Sequence, residues 1–280
     1  MRSTRILLLL PLVASQLCAL SAGEEGPAPT GIMGAFGEEV SKLEESLTET
    51  NIQTVLGIRF VTGTLGKRSV VLVSSGVGKV NAAMTAALLI DHFKPREVLF
   101  TGIAGAINPE LRPGDIVIAE KTVQHDLGTL TSEGIQLRGM RNPVDWERNP
   151  VFFDADSKLV SAAESAAKTL ELEKAQTGAE ERSSRILRGI VASGDVFVAS
   201  PAKKQELRKT VNADAIEMEG AAVAQVCRQL GVPCLVIRSI TDSAESNARQ
   251  EAGSFLLVAT RNSNRLVAAI VARLAEPSAH

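Results

Sequence analysis

Aromatic residues are scarce in this sequence: it has no tyrosine and one tryptophan, and aromatics make up 3% of its 280 residues. Proteins that bind single-stranded nucleic acid stack the bases on exposed aromatic rings, so this composition disfavours that class of binding platform. The formal net charge is −2, which provides no basic surface for a phosphate backbone. The composition therefore indicates a small-molecule partner rather than a nucleic acid.

Histidine and cysteine are equally rare. His92, His125 and His280 are far apart in sequence, so neither a zinc site nor a Ser-His-Asp arrangement has its ligands or its base. Cys227 and Cys234 could pair in an oxidising compartment, although the apolar residues around them favour two buried thiols. We expect no metal, and the chemistry falls to carboxylates.

Two nucleotide-binding motifs are also missing. The turn Ser75–Val80 is glycine-rich, but the P-loop pattern requires an earlier glycine where Val73 stands and Ser or Thr where Val80 stands. A dinucleotide fingerprint fails because Asn81 replaces its third glycine. We therefore expect no cofactor.

The N-terminus has the layout of a secretory signal peptide. Arg2 and Arg5 precede the apolar run 6–13, and small residues follow at 19–22. The run is too short for an ordinary membrane-spanning helix, and the alternative is a signal anchor that stays uncleaved.

These features predict a signal peptide at 1–22, a linker at 23–29 and a single folded domain at 30–276. We expect a secreted or periplasmic protein. Loss of Arg2 and Arg5 would leave a net charge of −4, and the remaining chain has no polybasic patch for stable membrane association.

Strand and helix patterns alternate along the chain, and several strands are continuous Val/Ile/Leu runs. This pattern predicts a single-domain three-layer α/β/α fold with a central, mostly parallel or mixed twisted sheet. We expect a strand at 98–101 that ends in a turn at 102–106, and a closing helix at 255–274. Segment 125–153 shows no clean period and is predicted to be a long irregular loop.

Ligands of such sheets bind beyond the carboxyl ends of the strands. The predicted strands end in small or acidic residues, which favours a pocket at that edge. These turns are 34–39, 75–78, 102–105, 193–195 and 241–242.

Seven motifs in order resemble the nucleoside phosphorylase/nucleosidase superfamily, with the greatest likeness to 5'-methylthioadenosine/S-adenosylhomocysteine nucleosidases. The likeness runs from about Gly31 to Leu274. The motifs are Gly34–Val40, Ser75–Val80, Thr101–Gly105, Arg112–Asp115, Ser193–Phe197, Glu217–Gly220 and Arg238–Asp242.

The resemblance implies an N-glycosidic bond cleaved by carboxylates. Asp242 would be the general acid that protonates purine N7, which requires a pKa raised by burial. Glu39 would be the base that orients and deprotonates water. The alternatives are structural: Asp242 as the cap of a following helix, and Glu39 as a first-turn glutamate favoured by the helix dipole.

The resemblance also implies the substrate contacts. Glu219 would accept hydrogen bonds from the ribose 2'- and 3'-hydroxyls. Met218 would pack on the ribose or base, with core packing as its alternative. Phe197 would stack on the purine, and the Val198 backbone would read the purine edge.

The turn Ile103-Ala104-Gly105 is predicted to contact substrate, although many nucleosidases of this family have serine where Ile103 stands. Glu217 lies two residues before Glu219, and on one strand both side chains would share a face. Glu217 is therefore predicted to orient Glu219 or support the site.

The nucleophile distinguishes a hydrolase from a phosphorylase. The first glycine-rich turn has no arginine for phosphate and offers Glu39, whose charge would repel it, so water is the predicted nucleophile. Asp rather than Asn at 242 suits a 6-amino purine. The predicted reaction is hydrolysis of an adenine-type nucleoside, and segment 125–153 would face the 5' substituent. The alternatives are a phosphate-dependent purine nucleoside phosphorylase and a non-catalytic exported nucleoside-binding or storage protein. The family likeness implies a homodimer.

Overall fold

A computed structural model describes residues 28–177 and 180–276. The predicted signal peptide and most of the predicted linker lie outside the described residues, so the processing of the N-terminus stays a prediction.

The described chain alternates strands and helices as the sequence indicates. The strands are β1 (Thr30–Gly34), β2 (Thr48–Val55), β3 (Ile58–Leu65), β4 (Arg68–Ser74), β5 (Glu97–Ala106), β6 (Ile116–Gln124), β7 (Gly128–Thr131), β8 (Gly134–Leu137), β9 (Phe152–Asp154), β10 (Ala175–Thr177), β11 (Glu180–Arg182), β12 (Ile186–Ser193), β13 (Ala215–Glu217) and β14 (Cys234–Asp242). The helices are α1 (Gly37–Glu45), α2 (Lys79–Phe93), α3 (Ser157–Ala167), α4 (Pro201–Val211), α5 (Gly220–Gln229) and α6 (Ala248–Ala275).

The main sheet has the strand order β13-β12-β6-β14-β5-β1-β4-β3-β2, and β9 pairs with β6. Strands β4, β1, β5 and β14 run parallel to one another, whereas β14 pairs with β6 and β3 with β4 in antiparallel fashion. The predicted central mixed sheet is confirmed. In addition, β13 pairs with β5, so β5, β14, β6, β12 and β13 close into a ring.

Helices cover both faces of the sheet. On one face α2 and α5 pack on a buried cluster that includes Met33, Phe100 and Val236. On the other face α1, α3 and α6 pack on a cluster that includes Leu99 and Ile237. Consecutive residues of a strand therefore enter opposite cores, which explains why these strands are apolar throughout.

The parallel strands bring their carboxyl ends to one edge. Strands β1 and β14 flank β5, and their ends deliver the turn after Gly34, the segment Ile103–Gly105 and Asp242 to neighbouring positions. The bond from the Gly76 N–H to the Ala35 carbonyl (2.9 Å) fixes the second glycine-rich turn against the first. The predicted convergence of strand ends is thus a consequence of strand direction.

Several local predictions were wrong. Segment 125–153 is not a uniformly irregular loop, because β7 and β8 form an antiparallel hairpin and β9 begins at Phe152. The strand predicted at 98–101 does not end in a turn at 102–106, because β5 continues to Ala106. The small residues there form strand because β14 pairs with them on one side.

The closing helix was predicted too short, since α6 begins at Ala248. The polar strand β2 was not predicted, because its residues are exposed and carry no buried alternation. No helix within 28–177 or 180–276 combines the length and the apolar character that crossing a membrane requires.

Candidate active site

A narrow, mostly apolar cavity opens at the carboxyl edge of the sheet. Its lining includes all eight residues predicted to bind substrate, together with Asp242. The lining residues are Phe36, Val77, Ile103, Ala104, Gly105, Val196, Phe197, Val198, Ile216, Glu217, Met218, Glu219, Thr241 and Asp242. No residue of segment 125–153 lines this cavity.

Asp242, the last residue of β14, is 3% exposed. Its Oδ1 accepts a hydrogen bond from the Ala244 N–H (2.9 Å), and its Oδ2 accepts one from the Thr241 hydroxyl (2.9 Å). Burial raises the pKa of the Asp242 carboxyl, and these two donors oppose the rise. The helix-cap alternative is wrong, because α6 begins at Ala248 with Asn247 as its N-cap.

Glu39 lies in the first turn of α1, yet it is 2% exposed and its side chain turns inward. One carboxylate oxygen accepts hydrogen bonds from the Ala35 and Phe36 N–H groups, and the other accepts one from the Ile103 N–H (3.0 Å). Burial raises the pKa of Glu39, while the charge of Arg238 and the three N–H donors lower it. The helix start and β5 together therefore fix this carboxylate.

Arg238 on β14 is the cation of the site. It is 1% exposed, forms an ion pair with Glu217 (Nη2–Oε2, 2.6 Å) and stacks 4.2 Å from the Phe100 ring centroid. Its Nη1 donates to the Phe100 carbonyl (3.0 Å). The guanidinium makes its ion pair, its hydrogen bonds and its ring contact within the protein, so the Arg238 side chain is held in one position in the site.

Glu217 is held from three directions. Besides Arg238, it accepts hydrogen bonds from the Ser193 hydroxyl, the Glu219 N–H (3.1 Å) and the Gly220 N–H (2.7 Å). The Ser193 oxygen in turn accepts one from the Ala221 N–H (2.7 Å). Glu217 thus holds the backbone of Glu219 and Gly220 in place.

The reasoning that gave Glu217 this role was wrong in one respect. Strand β13 ends at Glu217, and Glu219 is the N-cap of α5, so the two carboxylates do not share a strand face. The turn between strand and helix directs Glu219 toward the second glycine-rich turn, where its Oε1 accepts a hydrogen bond from the Gly78 N–H (2.8 Å).

Glu219 also has a raised pKa. Burial and the neighbouring charge of Glu217 raise its pKa from 4.5 to about 7, with a smaller contribution from Glu39, while Arg238 and the Gly78 N–H oppose the rise. The charge of the Arg238 guanidinium therefore acts on three carboxylates, those of Glu39, Glu217 and Glu219. Among the described residues that line the cavity there is no lysine or arginine. The site is consequently anionic in character and suits a substrate that develops positive charge.

The opposite wall of the cavity is apolar. Phe197 is 44% exposed, and the guanidinium of Arg249 lies 5.3 Å from its ring centroid. Met218 is half-buried at the cavity surface, so the alternative that it only fills the core is not supported. Such a wall accommodates a flat aromatic ring.

A polar bridge holds the second glycine-rich turn in place. The Lys79 ammonium forms an ion pair with Asp126 (2.5 Å), and the Lys79 N–H donates to Asp195 Oδ1 (2.7 Å). The Asp195 N–H donates to Asp126 Oδ2 (2.9 Å). The bridge ties α2 to the ends of β6 and β12, and thereby positions the Gly78 N–H that contacts Glu219.

Sequence reasoning missed the role of some residues. Arg238 and Ser193 belong to two of the seven motifs, but the sequence does not show that both side chains hydrogen-bond to Glu217. Phe36 and Val77 also stand in motifs, and their place on the cavity wall follows only from the convergence of two turns. The signal that could have found Arg238 is an arginine inside an apolar strand, which requires a buried anionic partner.

Comparison with known proteins gives consistent results. A profile described as "Phosphorylase superfamily" matches residues 29–275. A 5'-methylthioadenosine/S-adenosylhomocysteine nucleosidase of Shewanella halifaxensis is 36% identical over 245 residues, which cover 87% of this chain and 99% of that protein.

Solved structures are similar over the same range. The 5'-methylthioadenosine/S-adenosylhomocysteine nucleosidase of Colwellia psychrerythraea, in complex with adenine, has a TM-score of 0.76 and 34% identity over 88% of this chain and 96% of that one. The futalosine hydrolase of Helicobacter pylori has a TM-score of 0.73 and 29% identity over 87% of this chain and 97% of that one.

Proposed function

The chain belongs to the phosphorylase superfamily. Within this superfamily, we propose that it hydrolyses the N-glycosidic bond of an adenine nucleoside and releases adenine and a ribose derivative. It is an N-glycosyl hydrolase, and we propose substrates that carry a 5'-thio substituent, which the names of two of its relatives support. The products of the reaction are the base and the free sugar hemiacetal.

The observation that carries this proposal is the charge of the cavity. Its lining residues include Glu217, Glu219 and Asp242, with Glu39 beside them, and none of the described lining residues is cationic. A phosphate dianion would meet carboxylates there and lose its hydration without a free cation, because Arg238 is paired with Glu217 and does not line the cavity. Water carries no charge and avoids this cost, which favours hydrolysis over phosphorolysis.

Asp242 acts as the general acid in the proposed mechanism. Burial raises its pKa and so favours the protonated form, and transfer of that proton to purine N7 turns the base into a neutral leaving group. The electron pair of the C1'–N9 bond goes to the purine, and the ribose carbon becomes cationic.

Glu39 acts as the base on the other side of the reacting carbon. It takes a proton from water as the water oxygen forms its bond to C1', so the two protons moved in the reaction come from Asp242 and from water. Burial raises the pKa of Glu39, and Arg238 and the three backbone donors oppose this rise and thereby favour the ionised form. Glu219 accepts hydrogen bonds from the ribose hydroxyls and, with Glu39, offsets the developing positive charge.

Phe197 and Met218 form the apolar wall for the base and sugar, and the Val198 backbone reads the purine edge. Ile103, Ala104 and Gly105 line the cavity between the acid and the base. Asp at position 242 can donate to N7 of a 6-amino purine, which supports adenine over hypoxanthine as the leaving base.

The decisive experiment measures adenine release from 5'-methylthioadenosine in phosphate-free buffer. We expect turnover by the wild type and a kcat lower by roughly 10²–10⁴-fold for Asp242→Asn. Asp91→Asn, an exposed site on α2, is the matched control and should leave kcat unchanged. Strict phosphate dependence would identify a phosphorylase, and tight binding without turnover would identify a binding or storage protein. Equal rates for Asp242→Asn and the wild type would refute the acid assignment.

The 5' substituent is the second variable. We propose that methylthio and homocysteinyl groups are both accepted, because the cavity wall near the ribose is apolar and open to solvent at Phe197 and Val77. Comparison of kcat/KM for 5'-methylthioadenosine, S-adenosylhomocysteine, deoxyadenosine and a 6-oxo nucleoside tests this range. A 6-oxo nucleoside that equals the adenine nucleosides would overturn the preference for adenine.

A homodimer is the proposed assembly. Segment 125–153 exposes Leu130 (79%), Val144 (61%) and Trp146 (68%) without contacting the cavity of its own chain. Apolar side chains clustered in one exposed segment are typical of an interface. Light scattering of the wild type and of Leu130→Asp tests this proposal, and a wild-type mass of one chain would refute it.

Export is likewise proposed from residues 1–22, which resemble a signal peptide. Mass spectrometry of the N-terminus in fractionated cells is the test. An intact Met1 on protein in the cytoplasmic fraction would contradict both cleavage and export.

A further inference from the structure

A second cleft lies at the opposite end of β14 from Asp242. It has a volume of about 340 Å³ and is lined by residues of β6, α5, the start of β14 and the segment from β9 into α3. Both Cys227 and Cys234 line it, and they are the cysteines of the described residues. Neither takes part in the proposed hydrolysis.

The two thiols are brought together by a short connection. Cys227 lies near the end of α5, and Cys234 is the first residue of β14. The Val232 N–H donates to the Cys227 carbonyl (2.9 Å), which folds the intervening turn back on the helix. Cys234 packs against the same buried cluster that contains Cys227, and both thiols line the same cleft. The two cysteines therefore lie close together in the folded protein.

The thiols differ in access. Cys227 is 0% exposed, whereas Cys234 is partly exposed toward the cleft. The hydrogen bond to Cys234, together with burial, raises the pKa of the Cys227 thiol. Thiol–disulfide exchange requires one thiolate that can be reached and a second thiol close enough to resolve the mixed disulfide. Cys234 fits the first role and Cys227 the second.

We propose that Cys227 and Cys234 are a redox-active pair that closes to an intramolecular disulfide by exchange with a small-molecule disulfide entering this cleft. The Cys234 thiolate attacks one sulfur of the small disulfide and releases one small thiol. Cys227 then loses its proton and attacks Cys234, releasing the second small thiol. The protein loses two electrons and two protons, and the small disulfide is reduced to two thiols.

The bond would join two elements that carry the candidate active site. Helix α5 begins directly after Glu219, and β14 ends at Asp242. The disulfide would link them at the end remote from the cavity, so it stabilises their packing without touching substrate. Because the closed loop is short, the expected gain is modest, with Tm higher by roughly 5 °C in the oxidised protein.

The test uses the full chain incubated with oxidised glutathione, quenched with acid, alkylated and digested with trypsin. Cleavage after Lys209, Arg228 and Arg238 places the two cysteines in separate peptides, 210–228 and 229–238. We expect one linked peptide pair, which dithiothreitol separates. Cys18 falls in another peptide and does not interfere.

Two matched variants assign the order of the steps. In Cys227→Ala, Cys234 should carry one glutathione, and in Cys234→Ala, the buried Cys227 should stay reduced. Recovery of both wild-type peptides in alkylated form would overturn the proposal. A wild-type adduct that stops at glutathionylated Cys234, or a link that appears only in disulfide-joined dimers on a non-reducing gel, would overturn it as well. The result is independent of the hydrolase assignment, since no step uses the active-site cavity.

Discussion

Glu217 and Arg238 form a buried ion pair in which Oε2 and Nη2 are 2.6 Å apart. The side chain of Glu217 is 3% exposed and that of Arg238 is 1% exposed. Removal of one partner leaves an uncompensated buried charge. We therefore expect Arg238→Met to lower the free energy of unfolding by about 3–5 kcal/mol, measured by urea denaturation. It should also abolish activity, because Glu39 and Glu219 lose the charge that limits the rise of their pKa values.

The exposed pair Lys42–Glu45 provides the control. Its side chains are 58% and 62% exposed, so Lys42→Met should cost less than about 1 kcal/mol. The double variant Glu217→Met/Arg238→Met separates stability from function, because it removes both charges. It should regain part of the stability but not activity, because the Ser193 hydroxyl and the Glu219 and Gly220 N–H groups lose their acceptor. An inactive but fully stable Arg238→Met would contradict the desolvation argument.

We predict that Glu219 makes substrate binding depend on pH near neutrality. Its pKa is raised to about 7, and only the ionised carboxylate can accept hydrogen bonds from both ribose hydroxyls. We expect KM to fall as pH rises through about 7, and this dependence should vanish in Glu219→Gln, whose KM is high throughout. A KM profile of Glu219→Gln that still follows the wild type would assign the titration to another group.

The raised pKa of Glu219 also makes the stability of the fold depend on pH. Substrate binding is expected to improve as pH rises, whereas this contribution to stability decreases. A raised pKa means that the folded state binds its proton more tightly than the unfolded state. The contribution of Glu219 is thus greatest below its ordinary pKa of 4.5 and is lost as pH rises toward about 7. Comparison of Tm for the wild type and Glu219→Gln across this range should show a shallower decline with pH in the variant.

Much of this architecture was predictable because parallel strands bring their ends to one edge. The small-residue turns after β1 and β4 and the acid at Asp242 could therefore be placed together from the sequence, whereas β12 belongs to the part of the sheet that runs antiparallel to β14. Burial of whole strands in two cores accounts for the continuous apolar runs, which made the central sheet predictable.

Other features depend on long-range pairing that local patterns do not show. Strand β5 continues through Gly102 and Gly105 because β14 supplies hydrogen bonds, although the small residues alone indicate a turn. The break between Glu217 and Glu219 results from the start of α5. The effect of one guanidinium on three carboxylates could not be predicted, because it depends on the relative positions of β13, β14 and α1.

Glu39 should be intolerant of an isosteric change. Its two oxygens accept hydrogen bonds from the N–H groups of Ala35, Phe36 and Ile103. Glutamine would direct its own NH₂ group at one of these donors and would lack the charge that accepts a proton from water. We expect Glu39→Gln to lower kcat by at least about 100-fold in steady-state assays. Glu38→Gln, an adjacent and exposed position, should match the wild type.

Gly105 controls the position of the proposed acid. A Cβ at this residue would lie 2.7 Å from Asp242 Oδ1 and 3.2 Å from the Ala244 Cβ, so Gly105→Ala must displace a carboxyl that Ala244 and Thr241 now fix. Displacement of a catalytic group by about 1 Å can cost on the order of 100-fold in rate, and we expect kcat to fall by that amount in the adenine-release assay. Gly253→Ala is the control, because a Cβ there meets nothing within 4 Å and alanine favours helix. A Gly105→Ala enzyme with wild-type kcat would show that the geometry of the Asp242 carboxyl does not limit the reaction.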